Sequence, residues 1–457
     1  MSIVTARTEG RSYAEIMAQD TSTYAHPGVR ARLALGGFRV VQSLVSWQWP
    51  MRLLDPLMQP YNPFLDTYRT DPYPALHVLR SRAPVCFHRV LRSWLLSRHA
   101  DVVRALRDPR LSVDRTQTSV FKAMDFEHTF GPALAKAVTR SLLMVDPPDH
   151  TRMRRLVNKA FTPRVVQRME PRIQTLVDEL LDDVERRGRF ELIRDFAYPL
   201  PVVVIAEMLG IPTEDRDRFK RWSDKLAVLL DPFELTSGIE PAKVAFAELQ
   251  SYFEAIFEDR RRRPRDDLIS SLVAVEDEGE HLSTSELFAI TTLILGAGHE
   301  TTTNLIGNAV IALLRNPEQR RRFAEDDSIA TSAVEEFLRY DSPVHLTDRV
   351  ALEDFDIDGH RIQAGQLVGI LLAGANRDPD VFDDPDRLQL DRADNHHVAF
   401  GGGVHFCLGA SLARLEARVA LTTLVRRFPR LQSNPEAVSW KRSLVLRGVE
   451  ALPLRVA

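Results

Sequence analysis

Cys407 sits in the run Phe400-Gly401-Gly402-Gly403-Val404-His405-Phe406-Cys407-Leu408-Gly409. A glycine-rich turn lets backbone amides approach a sulfur closely, because no Cβ intervenes. Amides aimed at the sulfur, and a helix opening at Ala410, both favour a thiolate. A lone cysteine is most often a small buried hydrophobe. The flanking aromatics, the glycines and His405 set this one apart, whereas Cys86, in Pro84-Val85-Cys86-Phe87, reads as core.

Three further constellations could serve chemistry. In Ala297-Gly298-His299-Glu300-Thr301-Thr302 an acid stands next to an alcohol, a pairing that can relay protons from solvent to a reaction centre. Read alone, the same run is a kink with small residues at a helix crossing. Glu336 and Arg339 share a helical face at i, i+3 and can pair. His150 and Arg154, at i, i+4, present two donors that suit an anion.

These residues need elements to hold them. Ser283 and Glu286 have capping-box spacing, and apolar periodicity continues to Arg315 before Asn316-Pro317 stops it. Some thirty-odd residues at about 1.5 Å rise give a helix of roughly 50 Å, long enough to thread a domain. Its middle combines glycines with β-branched residues, which weakens it locally. Other helical patterns are Pro171–Arg187, Pro241–Arg263 and Thr331–Tyr340. Strand-like runs are short: Pro84–Arg89, Arg361–Leu372 after an Asp358-Gly359 turn, and Ser443–Leu454. The fold class is therefore mainly α with small peripheral β-sheets.

The 457 residues carry a formal net charge of −3, which gives no counterion-release footprint for nucleic acid. Two cysteines cannot make a disulfide framework or a four-cysteine zinc site, and a reducing, cytoplasmic compartment is expected. The start lacks a secretory signal, and the early uncharged stretch from Val40 to Met51 is too short for a transmembrane anchor. Residues 1–60 interleave Arg30, Arg32, Arg39 and Arg52 with Leu33, Phe38, Trp47 and Trp49, and read as an N-terminal extension: either a basic amphipathic segment that touches a membrane surface or a partner or, the favoured reading, a helix packing its apolar face on the body. No linker divides residues 61–457, which read as one domain.

In order and spacing, these runs resemble the cytochrome P-450 family of heme-thiolate monooxygenases, in its soluble bacterial form. The resemblance runs from Asn62-Pro63-Phe64 to the C-terminus. It takes in Asp146-Pro147-Pro148, Pro264 with Asp266-Asp267-Leu268, Ala297–Thr302, Glu336–Arg339, Asn376-Arg377-Asp378-Pro379 and the cysteine loop. The loop fits the family form Phe-x-x-Gly-x-(His/Arg)-x-Cys-x-Gly at every fixed position. The family usually has an aromatic where Leu388 stands, and many relatives have His where Gly402 stands.

The resemblance implies a cytochrome P-450 fold with heme b (iron protoporphyrin IX) between the long helix and the cysteine loop. It implies Cys407 as the proximal iron ligand, with Phe400 packed beside it. His150, Arg154, Arg349 and His405 would be donors to the heme propionates. Thr301 and Glu300 would be the oxygen-activating alcohol–acid pair, and Gly298 would leave room for dioxygen. Glu336 and Arg339 would form a buried structural pair, with Arg387 as third partner. The implied reaction inserts one atom of O₂ into a lipophilic substrate, by hydroxylation or epoxidation. The electrons would come from NAD(P)H through a ferredoxin and a ferredoxin reductase, docked with help from Arg152, Arg155 and Arg414. The expected state is a monomer. Apolar segments expected to line the pocket are Phe121–Phe130, Leu226–Leu235, Leu295, Val344–Leu346 and Leu446–Val449. A non-catalytic heme sensor or carrier is the alternative from another class, and it would need no proton relay.

Overall fold

The computed structural model describes residues 58, 60–118, 127, 130–226, 239–277, 279–433 and 438–456. The reading of residues 1–60 thus lies outside the described residues, apart from Met58 and Pro60. The helix expected at Pro171–Arg187 runs Glu170–Arg187, with Pro171 in its first turn and Gly188 closing it at φ +66°. Those expected at Pro241–Arg263 and Thr331–Tyr340 run Glu240–Arg262 and Ala330–Tyr340. No described helix is long and apolar enough to cross a membrane.

The central helix, Thr284–Arg315, has 32 residues and carries both bonds of the capping box. Glu286 Oε2 accepts from the Ser283 amide at 2.8 Å while Ser283 Oγ accepts from the Glu286 amide at 3.3 Å. Its glycines and threonines do not break it. Packing against Pro199–Leu209 on one side and Ala410–Arg427 on another outweighs a propensity cost of about 1 kcal/mol per glycine. Every residue from Thr302 to Leu313 is buried, so this half of the helix runs through the interior.

The largest sheet has five strands in the order Val85–His88, Ser93–Leu96, Leu367–Leu371, Leu346–Ala351, Leu111–Ser112. All pairs are antiparallel except Ser93–Leu96 with Leu367–Leu371, which run parallel with Leu367 opposite Ser93. Two expected strands are divided. Arg361–Leu372 separates into His360–Ile362 and Leu367–Leu371, because Gly365 turns at φ +81° and donates its amide to Ala351 O at 2.7 Å. Ser443–Leu454 reduces to Val449–Ala451 and Pro453–Arg455. Residues 443–448 spend backbone bonds on another segment instead: His345 N donates to Val445 O at 2.8 Å, and Arg447 N to Pro343 O at 2.8 Å. The partner of Val449–Ala451 is Ser439–Trp440. One large cluster of buried side chains reaches from Phe130 to Leu454, and a second sits on the five-stranded sheet.

Candidate functional site around Cys407

The cysteine loop is a set of tight backbone turns. Gly401 and Gly403 stand at φ +71° and +64°. Gly401 N donates to Val398 O at 2.8 Å, Phe406 N to Gly403 O at 3.2 Å, and Cys407 N to Phe400 O at 3.0 Å. The loop is anchored below by Asn376, whose Oδ1 accepts from Val398 N at 2.8 Å. Gly403 is irreplaceable on two counts, since an added Cβ would lie 2.5 Å from Leu106 O. Gly403→Ala is expected to destabilise the protein by about 1–3 kcal/mol and to loosen the loop. Urea unfolding checks the first effect, and the rate of cysteine labelling at Cys407 checks the second.

Cys407 is exposed at the loop's end, flanked by exposed Val404 and Phe406. The protein behind it pushes the thiol up, while the Gly409 amide, Arg154 and Arg414 pull it down. Burial prevails and leaves the thiol above its ordinary value, while the Gly409 bond and the helix Ala410–Arg427 that starts beside it oppose that rise without reversing it. Phe400 lies under the guanidinium of Arg414, 4.5 Å from ring centroid to Cζ.

Beside the loop, the four expected donors converge. The rings of His150 and His405 lie 4.1 Å apart between centroids, tilted at 52°. Arg154 Nη2 donates to Phe406 O at 2.8 Å. Arg349 bonds Asp348 O at 2.7 Å and Thr347 Oγ1 at 3.2 Å. Burial, then His150 and Arg349, push His405 down to about 3. Among the described residues no carboxylate forms an ion pair with Arg154 or Arg349, and Asp146 stands 3.9 Å from His405. Both ring nitrogens of His150 are buried without a hydrogen-bond partner. Buried polar atoms are nearly always satisfied. Two arginines without a carboxylate partner and a buried His150 without any acceptor, next to an exposed cysteine, fit an anionic cofactor edge such as heme propionates.

On the central helix, the acid and the alcohol face different partners. Thr301 Oγ1 donates to Ala297 O at 2.9 Å, Thr302 Oγ1 to Gly298 O at 3.2 Å and Thr303 Oγ1 to His299 O at 2.9 Å. Ala297 and Thr301 are only half-buried in a helix whose next turns are wholly buried. Glu300 instead pairs with Lys441 Nζ, which also donates to Asn304 Oδ1 at 3.0 Å. Lys441 was not foreseen, since nothing local in sequence links it to the helix. Gly298 has a close neighbour on the side where a Cβ would stand. Its missing side chain makes room for Ile205 of the helix Pro199–Leu209, whose Cδ1 would lie 2.5 Å from an added Cβ. The glycine lets two helices approach, and its side-chain direction is not open space.

The pair Glu336 and Arg339 is fully buried and bidentate, at 2.7 and 2.8 Å. Its third partner is Arg392, whose Nε donates to Glu336 Oε2 at 3.1 Å, and not Arg387. The segment alternates, with Leu388, Leu390 and Arg392 buried. Arg387 is on the outward set and offers only its carbonyl, to Arg339 Nη2 at 3.2 Å. Leu388 packs in the main core.

The neighbouring Glu335 was also missed. It accepts from Arg414 at 2.7 and 2.9 Å and bonds His397 Nε2 at 3.0 Å, which braces the cysteine loop from below. Burial raises Glu335, but His397 and Arg414 outweigh it and hold the carboxyl at about 2. A folded-state value below the unfolded one adds stability above the unfolded value near pH 4, lost as pH falls through about 2. Glu335→Gln is expected to be less stable at neutral pH, with the difference from the parent shrinking steadily below pH 4. Urea midpoints across that range measure it.

Among the expected pocket segments, Leu295 is buried, and Val344 forms an isolated bridge with Leu446. Residues 121–126, 128–129 and 227–235 lie outside the described residues. Arg152, Arg155 and Arg414 already hold Glu286, Glu280 and Glu335 respectively.

The family model described as Cytochrome P450 matches residues 85–442. The chain is 43% identical over 371 residues to cytochrome P450 107B1 of Saccharopolyspora erythraea, covering 80% of this chain and 89% of that one. It is 44% identical over 400 residues to vitamin D(3) 25-hydroxylase of Pseudonocardia autotrophica, covering 86% and 95%. Among solved structures, the Bacillus subtilis bacillaene polyketide synthase cytochrome P450 PksS superposes with a TM-score of 0.79 at 36% identity, covering 86% and 98%.

Proposed function

Since the chain belongs to the cytochrome P450 family and is an oxidoreductase of the monooxygenase kind, we propose that it hydroxylates or epoxidises a lipophilic small molecule, taking electrons from NAD(P)H through separate redox proteins. The observation that carries the assignment of the site is exposed Cys407 beside a buried His150 whose two ring nitrogens have no hydrogen-bond partner. Cys407 would ligate the iron. His150, Arg154, Arg349 and His405 would bind the propionates through charge-assisted bonds. A thiolate-ligated heme supplies, when bound, the centre at which dioxygen is reduced.

The chain's own residues would then handle protons and substrate. Thr301 Oγ1, lent to Ala297 O in this structure, can rotate to donate toward the cavity. Glu300 is the nearest acid along the helix. The apolar residues Leu295, Val344 and Leu446 would exclude water around the substrate. Two relatives are named for vitamin D(3) and for a polyketide synthase system, which agrees with a lipophilic class without selecting within it. Residues 61–457 would form the single catalytic unit of a monomeric protein.

The test uses Thr301→Ala. Electron consumption is expected to continue while product per electron pair falls by about tenfold or more. A non-catalytic heme carrier would show no product in either protein, and unchanged product yield would remove Thr301 from the relay. Optical titration of the ferric protein with vitamin D3, a long-chain fatty acid and a macrolide comes first, to choose the compound. For electron delivery, an acidic ferredoxin would compete with Glu280 for Arg155. Arg155→Glu should therefore slow reduction of the heme, and unchanged reduction kinetics would overturn that docking role.

A further inference from the structure

Glu300, Asn304 and Asn308 stand at i, i+4 and i+8 on the central helix, and so form one polar stripe. Each member of the stripe bonds a residue of the C-terminal hairpin region, and Asn308 reaches Asp341 as well. Asn308 Nδ2 donates to Arg447 O and to Asp341 O, each at 3.1 Å. Asn304 Oδ1 accepts from Lys441 Nζ at 3.0 Å, and the same ammonium holds Glu300. Thr301, one residue on, points about 100° around the helix and bonds to Ala297 O. The acid and the alcohol therefore occupy different faces.

The hairpin has little freedom to present Lys441 otherwise. Lys441 N donates to Gly448 O at 3.0 Å, just past the paired strands Ser439–Trp440 and Val449–Ala451. Gly448 is pressed onto the stripe so closely that an added Cβ would lie 2.0 Å from Asn304 Oδ1. Arg447 locks the other side, with Nε on Asp341 Oδ1 at 2.9 Å and its guanidinium 3.6 Å over Trp440. Lys441 itself is 23% exposed and Glu300 15%, so water reaches the contact only at its edge. A partly shielded ion pair of this kind has a real hold on its members.

We propose that Lys441 is a positioning residue that latches the Glu300 carboxylate against the hairpin, on the face turned from Thr301, and so restrains proton delivery until the contact opens. The inference rests on the relay role of Glu300 and Thr301 proposed above. It gives that relay a control point on a segment remote in sequence.

The test needs no substrate. The heme-loaded protein is reduced, mixed with air-saturated buffer, and its return to the ferric state followed optically. Lys441→Met is expected to speed that return by about fivefold, and Lys441→Arg to stay near the parent. Adding Glu300→Gln to Lys441→Met should abolish the acceleration, since the freed carboxylate is what the latch restrained. An unchanged or slower return in Lys441→Met overturns the proposal, as does an acceleration that survives Glu300→Gln. The second arm is independent of turnover. The chain has only seven lysines, so side-chain ¹⁵N resonances of the full-length, carbon-monoxide-bound reduced protein can be assigned by substitution. The Lys441 signal is expected to move in Glu300→Gln, and a fixed signal overturns the latch. Should the relay role of Glu300 fail while the latch is real, the signal would still move but neither Lys441 variant would change the rate.

Discussion

Replacing Cys407 by serine is expected to remove thiolate ligation completely, abolishing monooxygenation and the optical spectrum of a thiolate-bound heme. The fold should survive. The residue is exposed instead of being part of the core, and exposed substitutions usually shift stability by no more than about 0.5 kcal/mol. The loop is held by backbone bonds from Gly401, Phe406 and Cys407 that a serine also makes. Absorption spectra with and without carbon monoxide, alongside far-ultraviolet circular dichroism, separate ligand loss from unfolding. A retained thiolate spectrum would assign the ligand elsewhere. Cys86 is a poor candidate, because burial pushes its thiol up to about 11 and it is fixed within the strand Val85–His88.

The second large effect is on stability. Glu336→Ala should cost about 3–5 kcal/mol, because it strands Arg339 and Arg392 as buried charges. Glu336 accepts from Arg339, Arg392, Asn395 and the Gln389 amide. Arg339 in turn donates to the carbonyls of Asn376, Pro385 and Arg387. Removing both charges together would therefore still leave the carbonyls of Asn376 and Pro385 short of a donor, whereas Arg387 O keeps Arg392 Nη2 at 3.4 Å. The urea midpoint should fall sharply with an unchanged slope. Because Asn376 also carries Val398 at the base of the cysteine loop, heme retention should fall in parallel. A loss below 1 kcal/mol would show that the network is not the keystone of this region.

What could be read from the amino-acid order was what is made locally. The capping box at Ser283, the loop glycines and the i, i+3 pair of Glu336 with Arg339 each lie within a few residues. Helix bounds followed from prolines and glycines at their ends to within a residue. Contacts across the chain were harder. Arg387 and Arg392 are both arginines in the same short segment, and only the inward alternation of Leu388, Leu390 and Arg392 selects the second. Lys441 lies 141 positions from Glu300, and Arg414 lies 79 from Glu335, so neither pairing leaves a local pattern. The neighbour of Gly298 was hidden for a related reason. A glycine in a helix announces a close approach but does not say what approaches.

The five-stranded sheet imposes an order on the making of the protein. Trp94 is bonded to Gln366, 272 positions later, beside the parallel pairing of Ser93–Leu96 with Leu367–Leu371. At about 5–20 residues per second of synthesis, the early hairpin waits roughly 15–55 s for that partner to leave the ribosome. Throughout that interval Leu95 and Leu96, buried in the finished molecule, belong to an uncovered strand edge. Yield in a cell should therefore respond to translation speed and to chaperone supply more than the stability of the completed protein would suggest.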